Sequence, residues 1–459
     1  MVDAFDVVVL GGGPGGYAAA LYGAAAGLRV AIVEEAVIGG TCLHRGCIPA
    51  KALLQTAEVL RTVRGSSGFG VVVGEPRLDI AAAQARKTDV VARLTKGLTG
   101  LLDRRTVTVF PTRGHLGTDG RSVVGADGST VRGEHVLIAT GSAPRELPVA
   151  GLAFDGDRVL SSDHLLAIES VPAAVAVVGG GAIGCEFASL LADLGSRVTL
   201  VEAADRLLPG VDAQVAQTVA RSFSRRGITV ATGAAVTGFD GAALAYSSAA
   251  GAAQAEVDRV VVAVGRRPRS EGIGLEAAGV EVAASGHVTV DSRMRTTAPG
   301  IFAVGDLVAT PQLAHVAFAE AIVAVRTMLG EDPVPVDYER VPWGIYCHPE
   351  VSFCGLTEEA ARERGHDVVT SVHRWGGNSR ALIVGETEGV VKVVADRNGA
   401  LLGVHIAGPW ATELVAEAQL ALNWDATAAD VGGLIHAHPT LSELFGESVL
   451  ALTGRSLHA

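Results

Sequence analysis

The chain has 459 residues, enough for about three domains at roughly 150 residues each. With 49% hydrophobic and 19% charged residues it is not disordered, and its 58 glycines follow no G-X-Y period, which excludes a collagen-like rod. A net charge of −12 with no basic stripe leaves no footprint for nucleic acid.

Residues 7–28 form an uncharged run of 22 that imitates a membrane span. Seven glycines and Pro14 make it a poor spanning helix, and Asp3 and Asp6 precede it where a targeting signal needs basic residues. A strand, a glycine turn and a small-residue helix fit it better. A soluble, cytoplasmic chain with no membrane association is therefore expected.

The same pattern returns once. Gly11, Gly13, Gly16, Gly27 and Glu34 recur 168 positions later as Gly179, Gly181, Gly184, Gly195 and Glu202. Each copy places G-x-G-x-x-G after an apolar strand, at the start of a helix, with a second strand ending in Glu. That is the context of a dinucleotide-binding βαβ unit. The first glycine makes the turn, the second lets backbone approach a pyrophosphate, and the third lets helix and strand pack closely. The helix N-terminus offers free N–H groups to the phosphates, and the Glu accepts from a ribose diol. Two copies imply two dinucleotides and electron transfer between them.

Around these units the chain reads as a helical excursion over 51–103, short strands ending at 135–141, and a strand at 259–266 running into a glycine turn. A strand at 300–306 follows, and a Pro-rich linker at 331–342. Residues 343–459 alternate strands (389–394, 401–406) with a helix (412–422), as in a separate α+β domain.

Five cysteines are too few and too unevenly spaced for a secreted disulfide framework. Cys42 and Cys47 stand five apart in GGTCLHRGCIPAK. In a regular helix their Cα atoms would lie about 8–9 Å apart, beyond the roughly 7 Å a disulfide tolerates. Gly46 and Pro49 suggest a loop that enters a helix near Cys47, where a thiol becomes a better thiolate. The residues alone leave three readings open: a redox-active disulfide, a zinc site on Cys42, His44 and Cys47, or two core cysteines. The zinc reading finds no fourth ligand nearby. Near the C-terminus, His436 and His438 precede Pro439 and Glu443. Pro439 is expected to end a strand, so that Glu443 turns back onto one imidazole in the base-plus-orienter arrangement. A structural histidine pair and a metal site are the alternatives.

With these motifs together, the chain resembles the pyridine nucleotide–disulfide oxidoreductases over essentially its whole length. The resemblance implies an α/β fold with two Rossmann-like dinucleotide-binding domains, for FAD and NAD, and a C-terminal α+β dimerisation domain. Residues 1–143 with 267–340 would hold FAD, 144–266 NAD, and 343–459 the dimer contact. Gly11, Gly13, Gly16 and Glu34 match flavin contacts, with Thr41, Lys51, Gly114, Thr140, Gly141, Asp306, Ala314 and His315. Gly179, Gly181, Ile183, Gly184, Glu202, Gly265 and Arg266 match nicotinamide-nucleotide contacts. Cys42 would be the interchange thiol and Cys47 the thiol facing the flavin. Lys51 would stand near flavin N5 with Glu186 as its acidic partner. His438 and Glu443 would act from the other subunit of a homodimer, with His436 in support and no metal.

The activity implied is oxidation of a protein-bound dihydrolipoyl group with reduction of NAD⁺. Its partner would be the lipoylated acyltransferase (E2) of a 2-oxo acid dehydrogenase complex, or the lipoyl protein of glycine cleavage. An NADPH-dependent reductase of a small disulfide, of the glutathione or mycothiol type, is the alternative. Glu202, 23 residues after Gly179, favours NAD because a 2′-phosphate would meet its charge; Arg197 and Arg206 lie nearby and oppose this. His44, Arg45, Ala182 and Arg269 depart from the family's usual residues, and Cys347 and Cys354 are read as core packing.

Overall fold

Apolar, β-branched runs form the centres of the sheets, and the glycine turns set where helices leave them. The computed structural model describes residues 4–458 and divides into two units. One comprises Met1–Leu53, Ala81–Arg145 and Arg266–Tyr338; the other comprises Leu54–Ile80, Glu146–Gly265 and Glu339–Ala459.

In the first unit the strands Ala4–Leu10, Val30–Val33 and Thr108–Phe110 run parallel, and Thr130–Ile138 joins the other side of Ala4–Leu10. The end of Thr130–Ile138 pairs in parallel with Ile301–Ala303, while its start pairs antiparallel with Ser122–Gly125. Val7, Val8, Val9, Ile32 and Ile138 are almost wholly buried, as expected for a parallel sheet covered on both faces. The helices Pro14–Ala25 and Ala314–Met328 pack on it, and Ala19, Ala20, Ala321 and Ala324 let them approach.

In the second unit the sheet Thr229–Ala231, Arg197–Val201, Ala174–Val178, Arg259–Val262, Val159–Leu160 is parallel throughout. The helix Ala182–Leu194 follows Ala174–Val178 just as Pro14–Ala25 follows Ala4–Leu10. An antiparallel meander, Ala235–Phe239, Ala243–Ser248 and Gly251–Glu256, fills the connection before Arg259. The same unit holds a five-stranded antiparallel sheet, in the order Trp343–Ile345, Val351–Gly355, Leu401–Ala407, Val390–Asp396, Val368–Arg374. The helices Ala411–Asn423 and Glu443–Leu452 cover that sheet around the buried Trp375, Val393, Val404 and Phe445. Cys347 and Cys354 are buried there, as packing cysteines should be.

Two local expectations are corrected. The excursion over 51–103 is not continuously helical: Cys47–Arg64 and Ile80–Arg104 are separated by a 3₁₀ turn and a coil over 70–79. Gly70, Gly74 and Pro76 deny that stretch a helix. No strand precedes Pro439; the short helix Ala428–Gly432 ends at Gly433, and a loop leads to the histidines.

Lys392 is buried in the second unit, its Nζ 2.9 Å from Asp212 Oδ2 and 2.7 Å from Glu358 Oε2. Burial pushes the Asp212 carboxyl up, but the Lys392 ammonium outweighs it and holds it below the ordinary range. Its contribution is therefore present above the ordinary Asp range and lost as pH falls through the lowered value. Lys392→Met, which strands a buried carboxylate, should destabilise this unit by about 3–5 kcal/mol in thermal or denaturant unfolding. Adding Asp212→Asn should recover much of that loss, and the double variant should lose less stability than the parent on acidification.

Candidate functional site

The phosphate turns are built by close backbone contact. Gly11 has φ +104° and Gly179 φ +105°, and a Cβ on either would fall 2.4 Å from the carbonyl oxygen of Ala139 or Ala263. A Cβ on Gly16 would fall 1.9 Å from Gly11 O, and one on Gly184 1.7 Å from Gly179 O. Only glycine lets each helix seat itself there. Gly13 and Gly181, the N-caps, are different: a Cβ on Gly13 would meet nothing nearer than 3.9 Å, and one on Gly181 nothing within 4 Å. Neither helix N-terminus has a side-chain cap. Open space before uncapped N–H groups is what a pyrophosphate requires.

The two glutamates hold matching positions. Glu34 Oε2 accepts from Gly12 N–H at 2.6 Å and Oε1 from Ala36 N–H at 2.8 Å. Glu202 Oε2 accepts from Gly180 N–H at 2.5 Å and Oε1 from Ala204 N–H at 2.7 Å. Each carboxylate is thus fixed beside its turn with lone pairs left for ribose hydroxyls. Both turns fit the two dinucleotides. Ile183 stands in the first turn of the second helix.

The cysteine segment lies in the connection between the strands Val30–Val33 and Thr108–Phe110, and it is tied to the first phosphate turn. Gly39 N–H donates to Gly12 O at 2.8 Å. A Cβ on Gly40 would fall 2.6 Å from Gly13 Cα. The short helix Gly40–Arg45 carries Thr41 and Cys42, breaks at Gly46, and Cys47 opens the helix Cys47–Arg64. A Cβ on Gly46 would crowd Thr41 O at 3.0 Å. Both cysteines are half-buried. A hydrogen bond with Cys47, then burial, holds the Cys42 thiol far above its usual value, while Lys51, one turn past Cys47, pulls the other way. Burial and then the charge of the two sulfurs push Tyr17 up to about 12, so its hydroxyl lies within electrostatic reach of this site. Its position directly after Gly16, on the first helical turn, was the available signal.

Further flavin-side candidates gather in the same unit. Thr140 Oγ1 donates to Arg269 O at 2.8 Å, and Arg269 N–H donates to Gly141 O at 2.9 Å. Asp306 Oδ2 accepts from Ser142 Oγ at 2.5 Å and lies 3.8 Å from Arg266 Nε. Arg266 also donates to Ser142 Oγ at 2.7 Å. Arg266 thus falls in the first unit beside Asp306, whereas Gly265, at φ +109°, closes the second unit's dinucleotide fold. Ser142, which joins Asp306 to Arg266, carried no sequence signal. Ala314 and His315 open the helix Ala314–Met328. Gly114 is packed so closely that a Cβ would fall 2.7 Å from Val123 Cγ1.

In the second unit, His438 Nδ1 is 2.8 Å from Glu443 Oε1, and Thr440 N–H donates to Glu443 Oε2 at 2.7 Å. Burial pushes Glu443 up, yet the Thr440 N–H and His438 outweigh it and hold the carboxyl below its usual value. The His438 side chain is 70% exposed, so its other nitrogen is accessible. His436 is largely covered, its side chain 13% exposed, with Nε2 2.7 Å from Glu417 Oε1. Glu186 is buried in the helix Ala182–Leu194 and accepts from Tyr346 N–H at 2.9 Å. No cluster of three or more metal-ligating side chains occurs among the described residues.

The crowding at the third glycines gives a direct check. Gly16→Ala should strip the flavin colour from the purified protein. Gly184→Ala should leave the colour and weaken NADH binding about ten- to a hundredfold, measured by fluorescence titration.

The family model for pyridine nucleotide-disulphide oxidoreductases matches residues 5–321, and that for their dimerisation domain matches residues 341–449, which supports a homodimer. The chain is 42% identical to a dihydrolipoyl dehydrogenase of Thermus scotoductus, over 99% of this chain and 98% of that one. It is 41% identical to one of Bacillus subtilis over the full length of both. Among solved structures, LpdA of Mycobacterium tuberculosis superposes with a TM-score of 0.89 at 28% identity, covering 98% of this chain and all of that one. With both family models matched and relatives alike from end to end, the chain belongs to the pyridine nucleotide-disulphide oxidoreductases and is an FAD- and NAD(H)-dependent enzyme.

Proposed function

We propose that the chain oxidises the dihydrolipoyl group of a lipoylated carrier and reduces NAD⁺. The observation that carries this reading is the Cys42–Cys47 pair set on the first phosphate turn by the Gly39 and Gly40 contacts. The full-length relatives named dihydrolipoyl dehydrogenase supply the substrate class. Residues 1–143 with 267–340 are assigned to FAD, 144–266 to NAD and 343–459 to the dimer contact. Lys51 is assigned to the flavin with Glu186 as its partner. Thr41, Gly114, Thr140, Gly141, Asp306, Ala314 and His315 are assigned to flavin contacts. The carrier is the lipoylated acyltransferase of a 2-oxo acid dehydrogenase complex or the glycine cleavage lipoyl protein. The reaction belongs in the cytoplasm, where thiols stay reducible; no helix among the described residues is long and apolar enough to cross a membrane.

The residues divide the thiol chemistry between them. In the oxidised enzyme, one dihydrolipoyl thiol gives its proton to His438 of the partner subunit and attacks Cys42. The Cys42–Cys47 bond breaks, and Cys47 leaves as a thiolate at the N-terminus of its helix, where the dipole favours negative charge. The second lipoyl thiol then attacks the lipoyl sulfur of the mixed disulfide. Cys42 is expelled and takes that thiol's proton, and the cyclic disulfide departs. The enzyme retains two electrons as a Cys42 thiol and a Cys47 thiolate, with one proton on His438. A Cys42 thiol whose neighbour holds its proton so firmly suits this outcome. Glu443, kept ionised by Thr440 N–H, orients the imidazole and stabilises its cation. Held by the Gly11–Gly16 turn and Glu34, FAD would supply two-electron redox chemistry between the thiols and NAD⁺: as the Cys42–Cys47 bond re-forms, the pair's two electrons and the Cys42 proton make up the hydride, and the proton on His438 is released to solvent.

NADH formation at 340 nm from free dihydrolipoamide tests the reading. Turnover with NAD⁺ is expected, with Glu443→Gln slower by about ten- to a hundredfold. Equal use of NADP⁺, or reduction of glutathione or mycothiol disulfide in its place, would sink it.

A shared site makes a separate demand. Chains carrying Cys42→Ser and chains carrying His438→Ala should each be inactive as pure dimers. Mixing them by co-expression should restore one working site in each heterodimer, about half the parent rate. Inactive heterodimers of confirmed composition would show that His438 does not act across the subunit boundary.

A further inference from the structure

Arg197 and Arg206 leave nucleotide choice open in the sequence; Arg197 Nη2 donates to Glu256 O at 3.2 Å, and the structure shows what occupies Arg206. The loop carrying it is tied to the second phosphate turn: Ala204 N–H donates to Glu202 Oε1 at 2.7 Å, and Leu208 N–H donates to Gly180 O at 2.8 Å. Arg206 therefore stands at the end of the site where Glu202 faces the adenosine ribose. Its Nη2 donates to Glu359 Oε2 at 3.1 Å. Its Nε is buried and has no hydrogen-bond partner among the described residues.

Glu359 does not belong to the dinucleotide fold. It lies in the short helix Glu358–Glu363, beyond the strand Val351–Gly355. Two contacts fix that helix. Thr357 Oγ1 accepts from Ala360 N–H at 3.1 Å, and Glu358 Oε2 accepts from the buried Lys392 Nζ at 2.7 Å. Lys392 also bonds Asp212, which caps the crossover helix Ala213–Arg225. The buried Asp212 and Lys392, through the half-buried Glu358, thus anchor the helix from which the exposed Glu359 side chain reaches Arg206.

We infer that Glu359 is a specificity-determining residue: by engaging the Arg206 guanidinium, it withholds the cation that a 2′-phosphate on the adenosine ribose would need. Glu202 repels that phosphate directly, and Glu359 removes its compensating partner. Together they make the pocket selective for the unphosphorylated ribose although an arginine stands beside it. The inference rests on the proposed seating of the nucleotide at Gly179–Gly184 and Glu202.

The test uses the FAD-loaded homodimer and calorimetric binding of ADP-ribose and of 2′-phospho-ADP-ribose. Glu359→Gln should tighten the phosphorylated ligand about three- to tenfold while ADP-ribose stays within about twofold. Adding Arg206→Ala should abolish the gain. An unchanged ratio of the two affinities, or a gain that survives Arg206→Ala, overturns the inference. Glu202→Ala serves as the separate control: if it leaves ADP-ribose binding unchanged, the seating itself is wrong, whatever Glu359→Gln does.

Discussion

The site depends on two places where backbone meets backbone too closely for any side chain. At Gly16 against Gly11, and at Gly184 against Gly179, the missing Cβ lets a helix start immediately above the end of a parallel strand. That contact aims free N–H groups along the helix axis into open space at Gly13 and Gly181. An ordinary side chain at the third glycine would push the helix away, and the phosphate turn would lose its donors. The same turns supply the N–H groups that hold the Glu34 and Glu202 carboxylates in place, with lone pairs left to accept further hydrogen bonds.

The two copies part company after the second strand. In the second, the crossover is an ordinary helix, Ala213–Arg225, capped by Asp212. In the first, the crossover has been given to redox chemistry: the chain doubles back at Gly39 and Gly40, rests on the phosphate turn, and presents Cys42 and Cys47 across the break at Gly46. A second set of missing Cβ atoms makes this possible. The cysteines acquire unequal characters from position alone, Cys42 holding its proton within the pair and Cys47 starting a helix.

The antiparallel sheet at the C-terminus contributes a different kind of order. Around His438 the chain has little regular structure, so orientation comes from hydrogen bonds: Glu443 on the imidazole, Thr440 N–H on Glu443, and Glu417 on the neighbouring His436. Covering most of His436 while leaving His438 exposed separates a histidine that holds the loop from one that can meet a thiol. The buried Lys392 works likewise at longer range, joining the capped crossover helix to the segment that carries Glu359.

The sequence by itself determined the features that repeat or that admit one residue type. Glycine spacing announced both βαβ units, since no other residue permits those contacts, and the sheet centres followed from β-branched runs. A bonded Cys42–Cys47 pair is incompatible with a continuous helix, Gly46 and Pro49 suggested a loop between them, and the chain breaks at Gly46. The His438–Glu443 pair was legible from six residues of sequence, although the strand expected before Pro439 is a loop. Tertiary structure alone decided contacts between distant residues that carry no local pattern. Ser142 joins Asp306 to Arg266, Tyr17 comes within electrostatic reach of the sulfurs, Lys392 is buried between two acids, and Glu359 reaches Arg206. A lone serine, tyrosine or surface glutamate has no periodicity to read. Its role is set by which electrostatic partner the fold brings within hydrogen-bonding distance, and that is a property of packing rather than of spacing along the chain.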